Sequence, residues 1–199
     1  MRRRLVLPVI VTAAALALAG CGGSSGGSSS STTVDPNAAE VSPAGDIPDN
    51  QAFVRYAVPG AGFSVKVPEG WSRSGGSGGA AVVFTDKLNA IRLQAQPARQ
   101  ALTTAQARSR ELPKLASSVP GLRAGTVSVV RRQGGPAVRI TYLATARANP
   151  VTGKAGTDAV ERYVFFHNGR DAVVTLSGPK GADNVDPWKL VTDSLRWSR

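Results

Sequence analysis

Cys21 carries the most reactive side chain in this sequence, and it is the chain's only cysteine. What precedes it gives that thiol a chemistry. The chain opens Met1-Arg2-Arg3-Arg4, runs through an apolar stretch from Leu5 to Leu18 broken only by Pro8 and Thr12, and reaches Leu18-Ala19-Gly20-Cys21. A basic start, a short apolar core and small residues ahead of a cut site make an export signal. The apolar stretch falls short of the roughly 20 residues that span a bilayer.

Leu18-Ala19-Gly20-Cys21 resembles the bacterial lipobox, in which a diacylglyceryl group is transferred to the cysteine and the signal is cut just before it. The thiolate is the nucleophile that accepts the lipid, and the small residues at 19 and 20 let the peptidase close on the backbone. The expectation is an export signal over 1–20 and a lipidated Cys21 at the new N-terminus. Membrane lipid is then the first partner, and the protein sits lipid-anchored on the extracytoplasmic face of the cell membrane. The arginine cluster leaves both general and twin-arginine export open.

Other reactive groups are scarce. His167 is the only histidine, which excludes a His-rich metal site, and it stands beside the turn pair Asn168-Gly169, an ordinary exposed position. With one cysteine there is no intramolecular disulfide, so an exported domain must be held by its core. No Gly-x-Ser-x-Gly nucleophile elbow is predicted, because the pattern falls only in the glycine–serine runs 22–26 and 75–79 and not between a strand and a helix. The glycine-rich stretch Ser74–Gly79 lacks the Lys-Ser/Thr ending of a phosphate loop. Glu69, Asp86, Glu111, Asp158, Glu161 and Asp171 are dispersed and form no calcium loop. The sequence therefore predicts no catalytic residue, no metal and no cofactor.

One binding surface can be assembled from alternation. In Ala90–Gln96, Ile91, Leu93 and Ala95 take one face and Arg92, Gln94 and Gln96 the other. In the later strand, Val138, Ile140 and Tyr142 alternate with Arg139 and Thr141. Were the two strands near each other, Arg92, Gln94, Arg139 and Thr141 would form a patch suited to an anionic ligand or acidic partner, because guanidinium donors match carboxylate and phosphate. The plainer alternative is a solvated sheet face. Trp71 could line a groove, or serve as a corner aromatic of the core.

The formal net charge is +11, near +8 without Arg2, Arg3 and Arg4. The remaining arginines are scattered, and an extracellular protein rarely meets nucleic acid, so no nucleic-acid partner is expected.

These residues must be positioned by a folded domain. From Gly22 to Thr33 every residue is Gly, Ser or Thr, and 34–50 adds Pro36, Pro43 and Pro48 without periodicity. Composition makes 21–50 a flexible tether, holding a domain over 51–199 at roughly 30 Å from the lipid. Gly62–Pro68, Ala80–Thr85 and Ala90–Gln96 read as strands. Thr103–Val119 has helical period, capped by Thr103 or Thr104 and kinked or split by Pro113. Hairpins follow at Gly134-Gly135 and Asn168-Gly169. Asp186-Pro187 predicts the start of a last helix, with Val185, Trp188, Val191 and Leu195 lining its buried side. Consecutive hairpin-linked strands with helices imply an α+β fold: an antiparallel sheet of six or seven strands with two or three helices.

Gly62-Phe63-Ser64-Val65-Lys66-Val67-Pro68-Glu69-Gly70-Trp71 resembles the entry motif of the PsbP-like fold, a strand ending in a Pro-x-x-Trp corner. The following helix, the strands of Tyr142 and Tyr163, and the close from Trp188 through Ser194-Leu195-Arg196-Trp197 are similar too. The resemblance covers about 52–198. It implies a central antiparallel sheet between helices, in a superfamily of photosystem accessory proteins and actinobacterial lipoproteins. It brings no shared catalytic residues. It implies a non-enzymatic binding or accessory module of the cell envelope, with an envelope protein or small ligand as partner. The alternative is a carrier or sensor of a small amphipathic or anionic ligand, held in a sheet–helix cavity.

Overall fold

The computed structural model describes residues 44–76, 81–148 and 153–198. Leu18, Ala19, Gly20 and Cys21 lie outside the described residues, as do the export signal and most of the tether. Among the described residues, ten strands form two antiparallel sheets. The larger has seven strands: β3 (Ser72–Gly75), β4 (Val82–Asp86), β5 (Asn89–Pro97), β6 (Arg123–Arg132), β7 (Gly135–Thr145), β8 (Thr157–His167) and β9 (Arg170–Pro179). Their spatial order is β3-β4-β5-β9-β8-β7-β6. The smaller sheet has the order β1-β2-β10, with β1 at Phe53–Ala57, β2 at Phe63–Pro68 and β10 at Arg196–Trp197. The fold is thus α+β, as the strand and helix order implies, and the seven-stranded sheet is the antiparallel sheet expected. The separate three-stranded sheet goes beyond the expectation.

Local chemistry explains the hairpins. Asn168 and Gly169 both adopt positive φ (45° and 77°), the geometry that joins β8 to β9 with the right twist. The β6–β7 turn falls on Gln133-Gly134, one residue earlier than the glycine pair suggested, because Arg132 pairs with Gly135.

The large sheet carries a core on each face. One face carries Ile91, Leu93, Val174, Leu176, Tyr163 and Phe165 and packs against Phe63, Val65 and Val67 of β2 and against Trp188 and Val191 of α3 (Val185–Asp193). Leu93 and Leu176 are fully buried there, each contributing about 1.5–3 kcal/mol. The opposite face carries Val138, Ile140, Tyr142 and Val160. It packs against a helical segment of three parts: α1 (Thr104–Gln106), a π-helical turn (Ala107–Glu111) and α2 (Leu112–Ser118).

Thr103 caps that segment with a reciprocal box, its hydroxyl accepting from the Gln106 amide N–H at 3.1 Å. The segment divides just ahead of Pro113, which stands in the first turn of α2. The wide turn ahead of it, closed by the Leu112 N–H to the Ala107 carbonyl, accommodates a ring that would clash in a regular α-helix.

Two boundaries differ from the sequence expectation. The last helix begins at Val185 after Asn184, not at Asp186-Pro187, and Val185 is 71 % exposed rather than on the buried side. Residues 44–50, assigned to the tether by composition, include a docked segment. Ile47 is buried in the first core, its N–H donating to Asn184 Oδ1 at 2.8 Å. The Gly45 carbonyl accepts from Asn184 Nδ2 (2.9 Å) and Asn89 Nδ2 (3.0 Å).

Candidate functional site: a groove between Trp188 and the sheet

Trp188 of α3 is buried against the first core. Beside it lies a groove of about 440 Å³. Thr141 and Leu143 of β7 and Ala159 and Glu161 of β8 form its floor, and Arg123 and Gly125 of the edge strand β6 form its far lip. A second cavity of about 240 Å³ shares Ala159, Glu161 and Trp188 with the first and continues under α3 past Arg132, Arg139, Tyr163 and Lys189. The two make one groove with an apolar limb and a charged limb.

The charged limb is a connected network. The Tyr163 hydroxyl donates to Glu161 Oε2 at 2.5 Å. Arg139 Nη1 lies 3.6 Å from Glu161 Oε1. Arg132 Nε donates to Thr192 Oγ1 at 3.0 Å and lies 3.6 Å from Asp193 Oδ1. The Arg132 guanidinium sits 5.5 Å from the Tyr163 ring centre, within cation–π range. Burial pushes the Tyr163 phenol above its ordinary range, and the Glu161 carboxylate adds to the rise while Arg132 opposes it. Arg139 Nε is buried without a hydrogen-bond partner. A buried, unmatched N–H is costly.

Cross-strand register settles the fate of the four-residue patch. Arg92 pairs with Thr175, which pairs with Arg162, which pairs with Ile140. Arg92 and Gln94 therefore share the helix-side face with Ile140. Arg139 and Thr141, neighbours of Ile140 in sequence, point to the α3 side. The structure does not bring Arg92 and Gln94 together with Arg139 and Thr141. The reason is physical: the sheet has a core on each face, so the apolar sets Ile91-Leu93 and Val138-Ile140 serve opposite cores.

Arg139 and Thr141 do line the groove, with different tasks. Thr141 Oγ1 accepts from the Thr126 N–H at 2.8 Å, satisfying a donor freed where the β6–β7 register shifts between Ala124 and Val127. Gly125 lies so close to that hydroxyl that a Cβ there would collide with it. Trp71 is half-buried and packs against the first core, the corner role. His167 stacks on Trp197 with ring centres 5.1 Å apart. Among the described residues no group of three His, Cys, Asp or Glu side chains gathers to hold a metal, and no helix is long and apolar enough to cross a membrane.

Sequence reasoning missed Glu161, Tyr163 and Arg132. Each lies in a run of mixed apolar and charged residues, and only the strand order brings them together.

No protein-family model matches the chain, and no curated protein matches it. Among solved structures, the solution structure of cyanobacterial PsbP (CyanoP) from Synechocystis superposes with a TM-score of 0.51 at 15 % identity, over 77 % of this chain and 98 % of that one. A crystal structure from Bacteroides thetaiotaomicron gives 0.49 at 16 % identity over 73 % of this chain, which spans about half (48 %) of that protein. LpqN of Mycobacterium tuberculosis, described as involved in cell envelope biogenesis, gives 0.42 at 15 % identity, over 76 % of this chain and 93 % of LpqN. The chain has the PsbP-like fold, and that likeness points to no enzyme family.

Proposed function

We propose that this protein is a lipid-anchored accessory module of the cell envelope, without enzymatic activity, whose groove beside Trp188 holds a small amphipathic molecule. The observation that carries the reading is the joining of an apolar limb to a charged limb at Trp188, Ala159 and Glu161. An apolar body fits along Leu143, Ala159 and Trp188, and a polar head meets Arg139, Arg132 and Lys189. Pockets of several hundred Å³ with an apolar lining and a few convergent polar groups are the usual form of small-molecule sites. The Arg2–Cys21 sequence supports the anchor and the extracytoplasmic placement. The PsbP-like fold supports an accessory role.

Native mass spectrometry of the chain purified from its membrane tests the site. The expected result is a co-purified amphiphile that Ala159→Phe, which fills the floor of both limbs, removes. An empty groove in the unaltered chain overturns it. Cys21→Ala is expected to abolish lipidation and leave the chain unprocessed or free of the membrane, and radiolabelled palmitate still incorporated into that variant would refute the anchor.

A further inference from the structure

The opposite face of the sheet carries a second arrangement that owes nothing to the groove. Arg92 on β5 and Arg162 on β8 both pair with Thr175 on β9. Cross-strand partners point to the same face, so two guanidinium groups rise on either side of one hydroxyl, their Cα atoms two strand spacings or about 10 Å apart.

Arg162 is under-bonded. Its side chain is only 13 % exposed. Its Nη1 donates to Thr175 Oγ1 at 3.2 Å, but its Nε is buried without a partner. The Glu111 carboxylate stands 3.9 Å from Nη2, which supplies opposite charge but no hydrogen bond. Burial lowers the Arg162 pKa, and the neighbouring Arg92 charge lowers it further against the pull of Glu111, Tyr142 and Asp171. A buried guanidinium with unspent donors, facing a second cation, is an unfavourable pair in isolation.

The next register step is lined by small residues. Ala90 and Ser177 pair with each other, and they floor a hollow of about 380 Å³ with Lys87, Arg147 and Asp158 around it. The row Arg92–Thr175–Arg162 lies one register step further along the same face and does not line the hollow.

We propose that Arg92 and Arg162 clamp an oxyanion, a phosphate or carboxylate group, over Thr175. The oxyanion takes the hydrogens that Glu111 leaves unbonded and neutralises the two facing cations. Guanidinium geometry suits both anions, which accept two parallel N–H bonds. The phosphate could belong to a soluble molecule or to a lipid headgroup; the recognition chemistry is shared.

The test is NMR of the arginine Nε–Hε resonances of the whole chain in neutral detergent micelles, titrated with inorganic phosphate. Saturable shifts at Arg92 and Arg162, with those of Arg139 unmoved, are expected. Arg92→Ala, at an exposed position, should weaken phosphate about tenfold, the loss of one charge-assisted pair. Arg162→Lys is the second variant and should weaken it similarly. The proposal is overturned by an absence of saturable shifts, by saturation centred on Arg139 or Arg123, or by unchanged affinity in both variants. Co-sedimentation with phosphatidylcholine vesicles carrying phosphatidylglycerol separates the sources. Binding that Arg92→Ala reduces marks a headgroup, and phosphate shifts without such a reduction mark a soluble ligand.

Discussion

The phenol of Tyr163 and the carboxylate of Glu161 sit on the same strand two residues apart, joined by a hydrogen bond of 2.5 Å on the α3-side face of the sheet. Alternate residues of a strand share a face, so this contact is built into the local geometry of β8. Tyr163→Phe removes the donor and leaves Glu161 with Arg139 alone. The variant is expected to lose about 1–2 kcal/mol of stability, read by urea unfolding. The phenol's pKa lies above its ordinary value of 10.0 in the folded chain. The stability linked to it is fully present below pH 10 and is lost as pH rises through the folded value. The alkaline fall in stability should be shallower in Tyr163→Phe.

Thr141→Val keeps the shape of the side chain and removes the acceptor for the Thr126 N–H. Destabilisation of about 0.5–1 kcal/mol is expected, since water can take the exposed N–H. Hydrogen exchange should quicken at Thr126 on β6, while Thr141→Ser should keep its protection.

Asn184 holds Ile47, Gly45 and Asn89 by three hydrogen bonds of 2.8–3.1 Å. Asn184→Ala strands the buried Ile47 N–H and should cost about 2–4 kcal/mol. Limited proteolysis should then cut near residues 44–50, where the unaltered chain resists.

Asp171 carries a carboxyl raised above 3.8, chiefly by burial and also by Glu111, against the Gln96 hydrogen bond and the Arg162 charge. Its Oδ1 has no partner. A raised carboxyl makes the fold more stable when protonated, and that stability is lost as pH climbs from about 3.8 through the folded value. Asp171→Asn keeps an acceptor for Gln96 and should melt higher than the unaltered chain at pH 7, with the difference vanishing near pH 3. An unchanged or lower melting temperature at pH 7 would refute the assignment.

The sequence showed the strands better than their partners. Alternation in Ala90–Gln96 was plain because Arg92 and Gln94 leave one face partly wet. β8 hid its pattern because both faces are covered: Val160 and Tyr163 feed different cores, and a strand buried on both sides loses the contrast that marks a face. Arg162 was invisible for that reason. Trp188 was legible as a buried residue of the last helix, but its place as a groove wall depends on its meeting Ala159 and Glu161 of β8. β3 is exposed throughout and β10 is two residues long, so neither carries an apolar pattern. The docking of Ile47 was masked by its proline-rich, polar surroundings.

Glu161, Arg162 and Tyr163 are consecutive, yet the first and third serve the groove while the second serves the opposite face. A single-residue slip of β8 against its neighbours would carry Arg162 into the groove and send Glu161 and Tyr163 to the other side. The frame of β8 against β9 is set at the far end of the strand by Asn168-Gly169. That turn touches neither site, yet an insertion there would rewrite the chemistry of both at once.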